Sequence, residues 1–518
     1  MRWLVVSILA VGCGAHAAHP TSGGASPLLE YIPADTPYLV ANVEAPPATM
    51  YEQWRQLAAP MYDALAETAR GDRRVQRLFD AIAREFPSGF SGARLEELGF
   101  TARPHLAIYG LGLAPVVARI ELRDAATALA TIERVARNAG LELPPPAVRD
   151  GRRYWRVKQA VIAIADNQLV FAAGPEPEMT TALPHVLGLA KPPRSLAQTS
   201  LLRDAIARHH LGPHLIGIVD TQAVIALAMH DQHASPECTR AIAGLGALAP
   251  RALFGMDAGD AKRWSARFVV ELAPELARDL KTLRVPVAGL AGELAARRLA
   301  TAGGGIHLGR LAELAGAYAQ RVDQAGDTCG WSALHDTAAA LASLRAKPLP
   351  PTAAGLATLY TIAPPVQGKL PERIDMFAVA WMPGVQALAA ALGYGDLGVA
   401  ADGRLHPVST QTLRIAPLPY AFAVALASDV GAIAVGDKAP ALAERVLAAP
   451  PGPPMPLFSA SFDYGRWLEL KARWDASSKD AAERRLDAAM AAMYGRGDYM
   501  IDVTDEGLVA EFSHELRR

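Results

Sequence analysis

The sequence predicts an α+β fold made of two related halves, each with an antiparallel or mixed sheet and helices packed on one face. Three observations predict it. Hairpin patterns dominate and regular β-α-β alternation is missing, which favours antiparallel pairing. The same succession of hairpin, helix, Pro-rich link and strand occurs twice, with a period of about 260 residues, too long for a solenoid repeat. Both halves also close on a stretch that alternates apolar and polar residues, as a strand with one buried face does.

Taken in order, residues 28–44 read as an opening strand, interrupted by the turn Ile32-Pro33-Ala34-Asp35-Thr36-Pro37 and continued by Tyr38-Leu39-Val40-Ala41-Asn42-Val43. Residues 49–86 have helical periodicity. Ala107-Ile108-Tyr109-Gly110 and residues 116–122 form a hairpin. Asp124 precedes an Ala-rich periodic run that Gly140 closes, the pattern of a capped helix. Tyr154-Trp155-Arg156-Val157, residues 161–165 and residues 169–174 make a meander with a turn at Asp166-Asn167. A helix over 176–187, a Pro-rich link and a strand over 215–220 follow.

In the second half, residues 422–427 and 431–436 form a hairpin around Ser428-Asp429, with a helix over 438–448. The link Pro450-Pro451-Gly452-Pro453-Pro454 then leads to a strand over 457–463. Gly174 and Gly436 occupy corresponding places, and the closing strands are 264–272 and 507–516. These matches place the halves at 28–273 and 274–518. The apolar positions Trp474, Leu486, Met490 and Met493 give residues 471–494 a helical pattern that packs on its own sheet.

The start of the chain reads as a targeting segment. Met1-Arg2 and the apolar run 3–11 are too short for a permanent span of about 20 residues, so residues 1–12 read as a signal peptide. Ala10-Val11-Gly12-Cys13 resembles a bacterial lipobox, which makes Cys13 the lipidated residue. Residues 13–27 have the small, polar composition of a flexible tether. Gly14 is not Asp, so nothing marks the chain for inner-membrane retention, and the outer membrane is favoured. Cleavage after Ala15-His16-Ala17, giving a soluble periplasmic or secreted protein, is the alternative. With Cys13 acylated, Cys238 and Cys329 remain, and an even pair in an oxidising compartment reads as a disulfide. Each of these two cysteines is expected to start a helix.

The segment Leu28-Leu29-Glu30-Tyr31-Ile32-Pro33-Ala34-Asp35-Thr36-Pro37, the exported start and the long β–α repeats resemble a group of uncharacterised bacterial envelope lipoproteins of similar length with an internal duplication. The resemblance implies an anchored envelope protein. It brings no activity and no functional residues with it.

Composition narrows the function classes. The 518 residues carry a formal net charge of −1, without the basic field that nucleic-acid binding needs. Arg73-Arg74, Arg152-Arg153, Arg297-Arg298 and Arg484-Arg485 read as solvated faces. No G-x-S-x-G, P-loop or H-E-x-x-H motif occurs. The Gly-rich run 302–309 lacks Rossmann spacing and reads as a strand or turn. His209, His210, His214, His230 and His233 lie close in sequence and carry metal-binding chemistry. Gly212-Pro213 breaks the helix that would align two of them, and His230-Asp231-Gln232-His233 reads as a turn, so a solvated loop region is expected and no metal or cofactor is assigned. Glu96-Glu97 and Asp505-Glu506 are expected at the surface, and no catalytic residue is assigned. The resulting expectation is a non-enzymatic protein that binds or scaffolds other envelope components, touching the membrane through its N-terminal lipid only. An envelope hydrolase with an unrecognised site and a periplasmic small-ligand or metal-binding protein are the rivals.

Overall fold

The computed structural model describes residues 26–48, 62, 72–85, 92–231, 233–260, 262–364, 370–394, 397–474 and 481–517. The signal peptide, Cys13 and all but the end of the tether lie outside the described residues. So does most of the helix expected over 49–86, whose later part is the helix Arg73–Glu85.

The first ten strands are β1 (Tyr38–Ala41), β2 (Leu106–Gly110), β3 (Val116–Glu121), β4 (Ala147–Arg149), β5 (Arg152–Val157), β6 (Ala160–Ala165), β7 (Gln168–Ala173), β8 (Leu215–Asp220), β9 (Arg251–Asp260) and β10 (Arg263–Val270). The rest are β11 (Ala300–Ile306), β12 (Ala353–Ile362), β13 (Ile374–Trp381), β14 (His406–Val408), β15 (Phe422–Leu426), β16 (Val430–Val435), β17 (Phe458–Asp463), β18 (Tyr494–Thr504) and β19 (Gly507–Leu516). All belong to one 19-stranded sheet, and every strand pairing in it is antiparallel.

Its centre is the pairing of β10 with β19, where Ala266 faces Phe512. These are the two closing strands that sequence patterning singles out. Outward from this seam, one side runs β9, β8, β1, β2, β3, β7, β6, β5, β4. The other runs β18, β17, β11, β12, β13, β16, β15, β14.

Local chemistry explains the elements. Asp166 and Asn167 both have positive φ, 51° and 55°, the conformation of the two-residue hairpin turn that joins β6 to β7. The Asp124 side chain accepts a hydrogen bond from Thr127 N at 2.8 Å and so caps the helix Ala125–Asn138. Gly436, just after β16, has φ +102°, and a Cβ there would lie 1.9 Å from Ile374 O. Gly174, just after β7, lies against Pro115, 2.8 Å from where its Cβ would be.

Three local expectations fail. Residues 27–31 form a 3₁₀ turn rather than strand, because Pro27 supplies a helical first position and Leu28 and Leu29 turn inward to be buried. The helical stretch near residues 471–494 is two helices, Tyr464–Trp474 and Ala481–Met493. Cys238 does begin a helix, Pro236–Gly246, but Cys329 ends one, Leu308–Cys329, which stops at the left-handed Gly330.

One face of the sheet carries the core. On the first side, Leu39, Val117, Val170 and Ile216 pack with Met179, Leu183 and Val186 from the helix Glu176–Val186. On the second side, Leu356, Phe377, Val379 and Ala434 pack with Ala439, Ala443 and Val446 from the helix Ala439–Leu447. Arg119 is fully buried in the first core. It donates to Tyr109 Oη at 3.0 Å, Gln168 Oε1 at 2.8 Å and the His185 and Val186 carbonyls at 2.8 and 3.1 Å. The guanidinium thus satisfies the last carbonyls of a helix, where a cation is favoured.

A smaller cluster joins helices from distant parts of the chain. Met229, Cys238, Ile242 and Ala325 are its buried residues, drawn from the helices Thr221–Asp231, Pro236–Gly246 and Leu308–Cys329. The Cys238 and Cys329 sulfurs are at disulfide distance, with their Cα atoms 4.7 Å apart.

Candidate functional site: an uncovered apolar face

Strand alternation gives every sheet two faces, and only one of them here meets the main helical layer. Antiparallel sheets with one packed face normally turn polar residues to water on the other. This sheet does not. Following the register, Ile162 is level with Phe171, Ala118, Ile108 and Val40 on β6, β7, β3, β2 and β1. The same row continues through Gly217, Phe254, Phe268, Ala510, Ile501 and Phe458 on β8, β9, β10, β19, β18 and β17. Eleven neighbouring strands thus present an unbroken apolar row on the face away from the core.

That face is open. Val116, Val219, Phe268, Phe458, Ile501 and Ile433 all belong to it by register, and all are exposed, Phe268 to 45%. Aromatic rings cross the seam on the same side: Phe254 to Phe268 at 4.5 Å between centroids, then Phe268 to Phe512 and Tyr499 to Phe512, each at 5.8 Å. Isolated exposed apolar residues need no explanation, whereas a contiguous patch marks a binding surface.

The closing strands carry the clearest inversion. In β10 and β19 the aromatic set Trp264, Phe268 and Phe512 faces the open side. The polar set Ser265, Arg267, Glu511 and Ser513 faces the helical side. There it lines a cleft of about 420 Å³ with Arg263 and Asp498. The cleft's charges are already paired: Arg267 with Glu511 and with Glu506, the latter at 2.9 Å, and Arg263 with Asp498 at 3.9 Å, Arg263 also donating to Ser513 Oγ at 2.6 Å.

At one end of the seam, on the open side, His514 stacks on Trp264 at 5.1 Å and shares a hydrogen bond of 3.0 Å between its Nε2 and Tyr499 Oη. Burial pushes its pKa below the ordinary histidine value, despite the opposing pull of Asp498. Burial, with Tyr464 and Tyr499 close by, pushes the neighbouring Tyr494 up to about 12. Both shifts favour the uncharged forms of these two rings.

The far end of the second side is shaped differently. The short helix Val385–Ala389 and the turn Ala390–Tyr394 lie over the open face, so helices are not confined to one side. Val385, Leu388, Leu392, Leu413, Ile415 and Ile433 line a cavity of about 410 Å³ beneath them.

The histidines do not converge. His209 is buried, its Nε2 donating to Glu271 Oε1 at 2.8 Å, and Arg251 holds the same carboxylate at 2.6 and 3.0 Å. His209 Nδ1 lies 3.5 Å from Glu506 Oε2. His210 is exposed in the left-handed conformation that ends the helix Leu201–His209. His214 pairs with Asp257 at 3.1 Å. His230 lies in the last turn of the helix Thr221–Asp231 rather than in a loop, and His233 follows it, both exposed. Among the described residues no group of three or more His, Cys, Asp or Glu could hold a metal ion. Asp505 and Glu97 are exposed, but Glu506 is drawn inward between Arg267 and His209, against the expectation of a surface acid.

The apolar face escapes detection from sequence because its residues are ordinary strand residues. The one available signal is that strands such as Ala160–Ala165 and Phe422–Leu426 are apolar at both parities, which is expected of a strand covered on both faces. No protein-family model, curated protein or solved structure matches the chain.

Proposed function

We propose that this chain is a non-enzymatic binding protein of the bacterial envelope that carries a lipid on the open face of its sheet. The single observation behind this reading is the apolar row across eleven strands, with Phe268, Phe458, Ile501 and Val219 exposed. What such a surface can do chemically is bury hydrocarbon, at roughly 25 cal/mol for each Å² removed from water. The row offers no titratable group along its length, and burial in lipid hydrocarbon leaves none of its side chains with a lost hydrogen bond.

The lipobox-like Ala10-Val11-Gly12-Cys13 supports export and acylation of Cys13, with the outer membrane as the favoured destination. Among the described residues no helix is long and apolar enough to cross a membrane, so an acyl anchor would be the membrane attachment in this reading. The Cys238–Cys329 pair suits an oxidising compartment. The halves 28–273 and 274–518 are read as an internal duplication. The common strand order outward from the β10–β19 seam supports this, as do the matching places of Gly174 and Gly436.

The test is extraction of the protein purified from its own cells, followed by mass spectrometry of the organic phase. Lipid in near-stoichiometric amount, reduced in Phe268→Ser, is the expected result. Protein that carries no lipid and takes up none from vesicles overturns the reading. Intact mass of the same sample checks Cys13: two or three acyl chains on a chain that starts there are expected, and an unmodified N-terminus counts against the anchor.

A further inference from the structure

The cavity beneath Val385–Ala389 differs from the rest of the open face in two ways. It is enclosed on one side by a helix and turn, and its lining, Val385, Leu388, Leu392, Leu413, Ile415 and Ile433, contains no charged side chain. Its volume of about 410 Å³ lies near the lower end of the ligand-pocket range of roughly 300–1,000 Å³, which suits one hydrocarbon chain better than two.

A cation stands at the rim. Arg414 sits between the lining residues Leu413 and Ile415, is exposed, and has left-handed φ +53°. Its Nη1 comes within 3.4 Å of where a Cβ on Gly393 would be, and Gly393 lies between the lining residues Leu392 and Tyr394. The guanidinium therefore lies beside Gly393, and both residues are flanked in sequence by residues that line the cavity. Among the described residues it makes no ion pair. Elsewhere in the molecule arginines beside acids are paired, as with Arg284 on Asp502 at 2.7 and 2.8 Å. A guanidinium without a carboxylate at the lip of a hydrocarbon-lined cavity is complementary to a chain that ends in an anion.

We propose that this cavity binds a single-chain anionic amphiphile, its hydrocarbon beneath Val385–Ala389 and its head group on Arg414. The proposal rests on the lipid-carrying reading and names the chemistry of one subsite of that surface. A free fatty acid and a lysophospholipid share that chemistry, a carboxylate in one and a phosphate in the other.

The experiment is titration of the purified full chain, freed of bound lipid, with palmitate, with lysophosphatidylglycerol and with 1-hexadecanol. Wild type is set against Arg414→Gln, Leu392→Glu and Phe268→Ser. All three positions are exposed, so the variants fold, and circular dichroism verifies it. One or both anions should bind more tightly than the alcohol, and the one that does identifies the source. Arg414→Gln should weaken that anion about tenfold or more, as loss of a charge-assisted hydrogen bond does, while leaving hexadecanol unchanged. Leu392→Glu should abolish all binding at this site. Phe268→Ser, which lies at the seam, should change it by less than about twofold, as a distant and independent site does. Anion binding that is unaltered in both Arg414→Gln and Leu392→Glu overturns the subsite. If Phe268→Ser removes that binding as well, the broader lipid-carrying reading still stands. No binding of any probe to wild type overturns both.

Discussion

The two faces of the sheet are built from the same residue types and meet opposite fates. Phe377 on β13 and Phe458 on β17 are both strand phenylalanines of the second side. Phe377 points into the helix-covered core and is fully buried, while Phe458 points to the open face and is 39% exposed. What separates them is parity along the strand and the position of the helix Ala439–Leu447. A covered apolar face contributes stability, and an uncovered one of this extent is the kind of surface on which binding sites are found.

The largest effect expected in the molecule lies outside this sheet core, where the helical cluster around Cys238 has only four buried residues. With little packing there, the covalent link matters more. Changing Cys238 and Cys329 together to Ser should lower stability by about 4–5 kcal/mol, the chain-entropy value for a loop of this length. Denaturant titration of variant and wild type under oxidising conditions measures it. Equal midpoints would mean that the two thiols are free in the native protein.

The comparison of faces is sharpened by a matched pair. Phe377→Ala should cost about 3–5 kcal/mol through the cavity it leaves. Phe458→Ala, on the open side, should cost about 1 kcal/mol, since much of that ring remains in water when folded. Urea midpoints for the two variants decide it. Similar losses would mean that something covers the open face in solution.

Smaller effects probe particular links. Asp124→Ala removes the cap of Ala125–Asn138 and should cost about 1 kcal/mol, read as a lowered thermal midpoint. The smallest concerns pH. Burial depresses the His514 pKa in the folded state, so the unfolded chain binds the proton more readily. The stabilisation is then complete above the unfolded histidine value of about 6.5 and is lost as pH falls through the lower folded value. His514→Gln should flatten that part of the stability–pH curve between neutrality and mild acid. A variant with the wild-type slope would assign the dependence to other groups.

Much of the fold is legible in sequence, and the reason is local. The Asp166-Asn167 turn, the Asp124 cap and the hairpins that flank Ser428-Asp429 depend on a few neighbouring residues. The pairing of Cys238 with Cys329 was legible by elimination, from the count of cysteines. The candidate site was not legible. The run Trp264-Ser265-Ala266-Arg267-Phe268 shows two alternating sets, and it is natural to assign the apolar set to the core. The structure turns Trp264 and Phe268 to the open face and Ser265 and Arg267 to the helical side. Nor could sequence spacing bring Arg414 to the mouth of a cavity whose far wall, Ile433, is another strand.

The sequence by itself determined where strands, turns and caps fall, because backbone preferences and period-two patterning act over a few residues. Only the tertiary structure decided which parity of each strand meets helices and which meets solvent. An alternating pattern is symmetric between its two faces, and the side that the connecting helices occupy is settled by the connections between strands, such as residues 174–214 and 436–457, rather than by any residue on the strand itself.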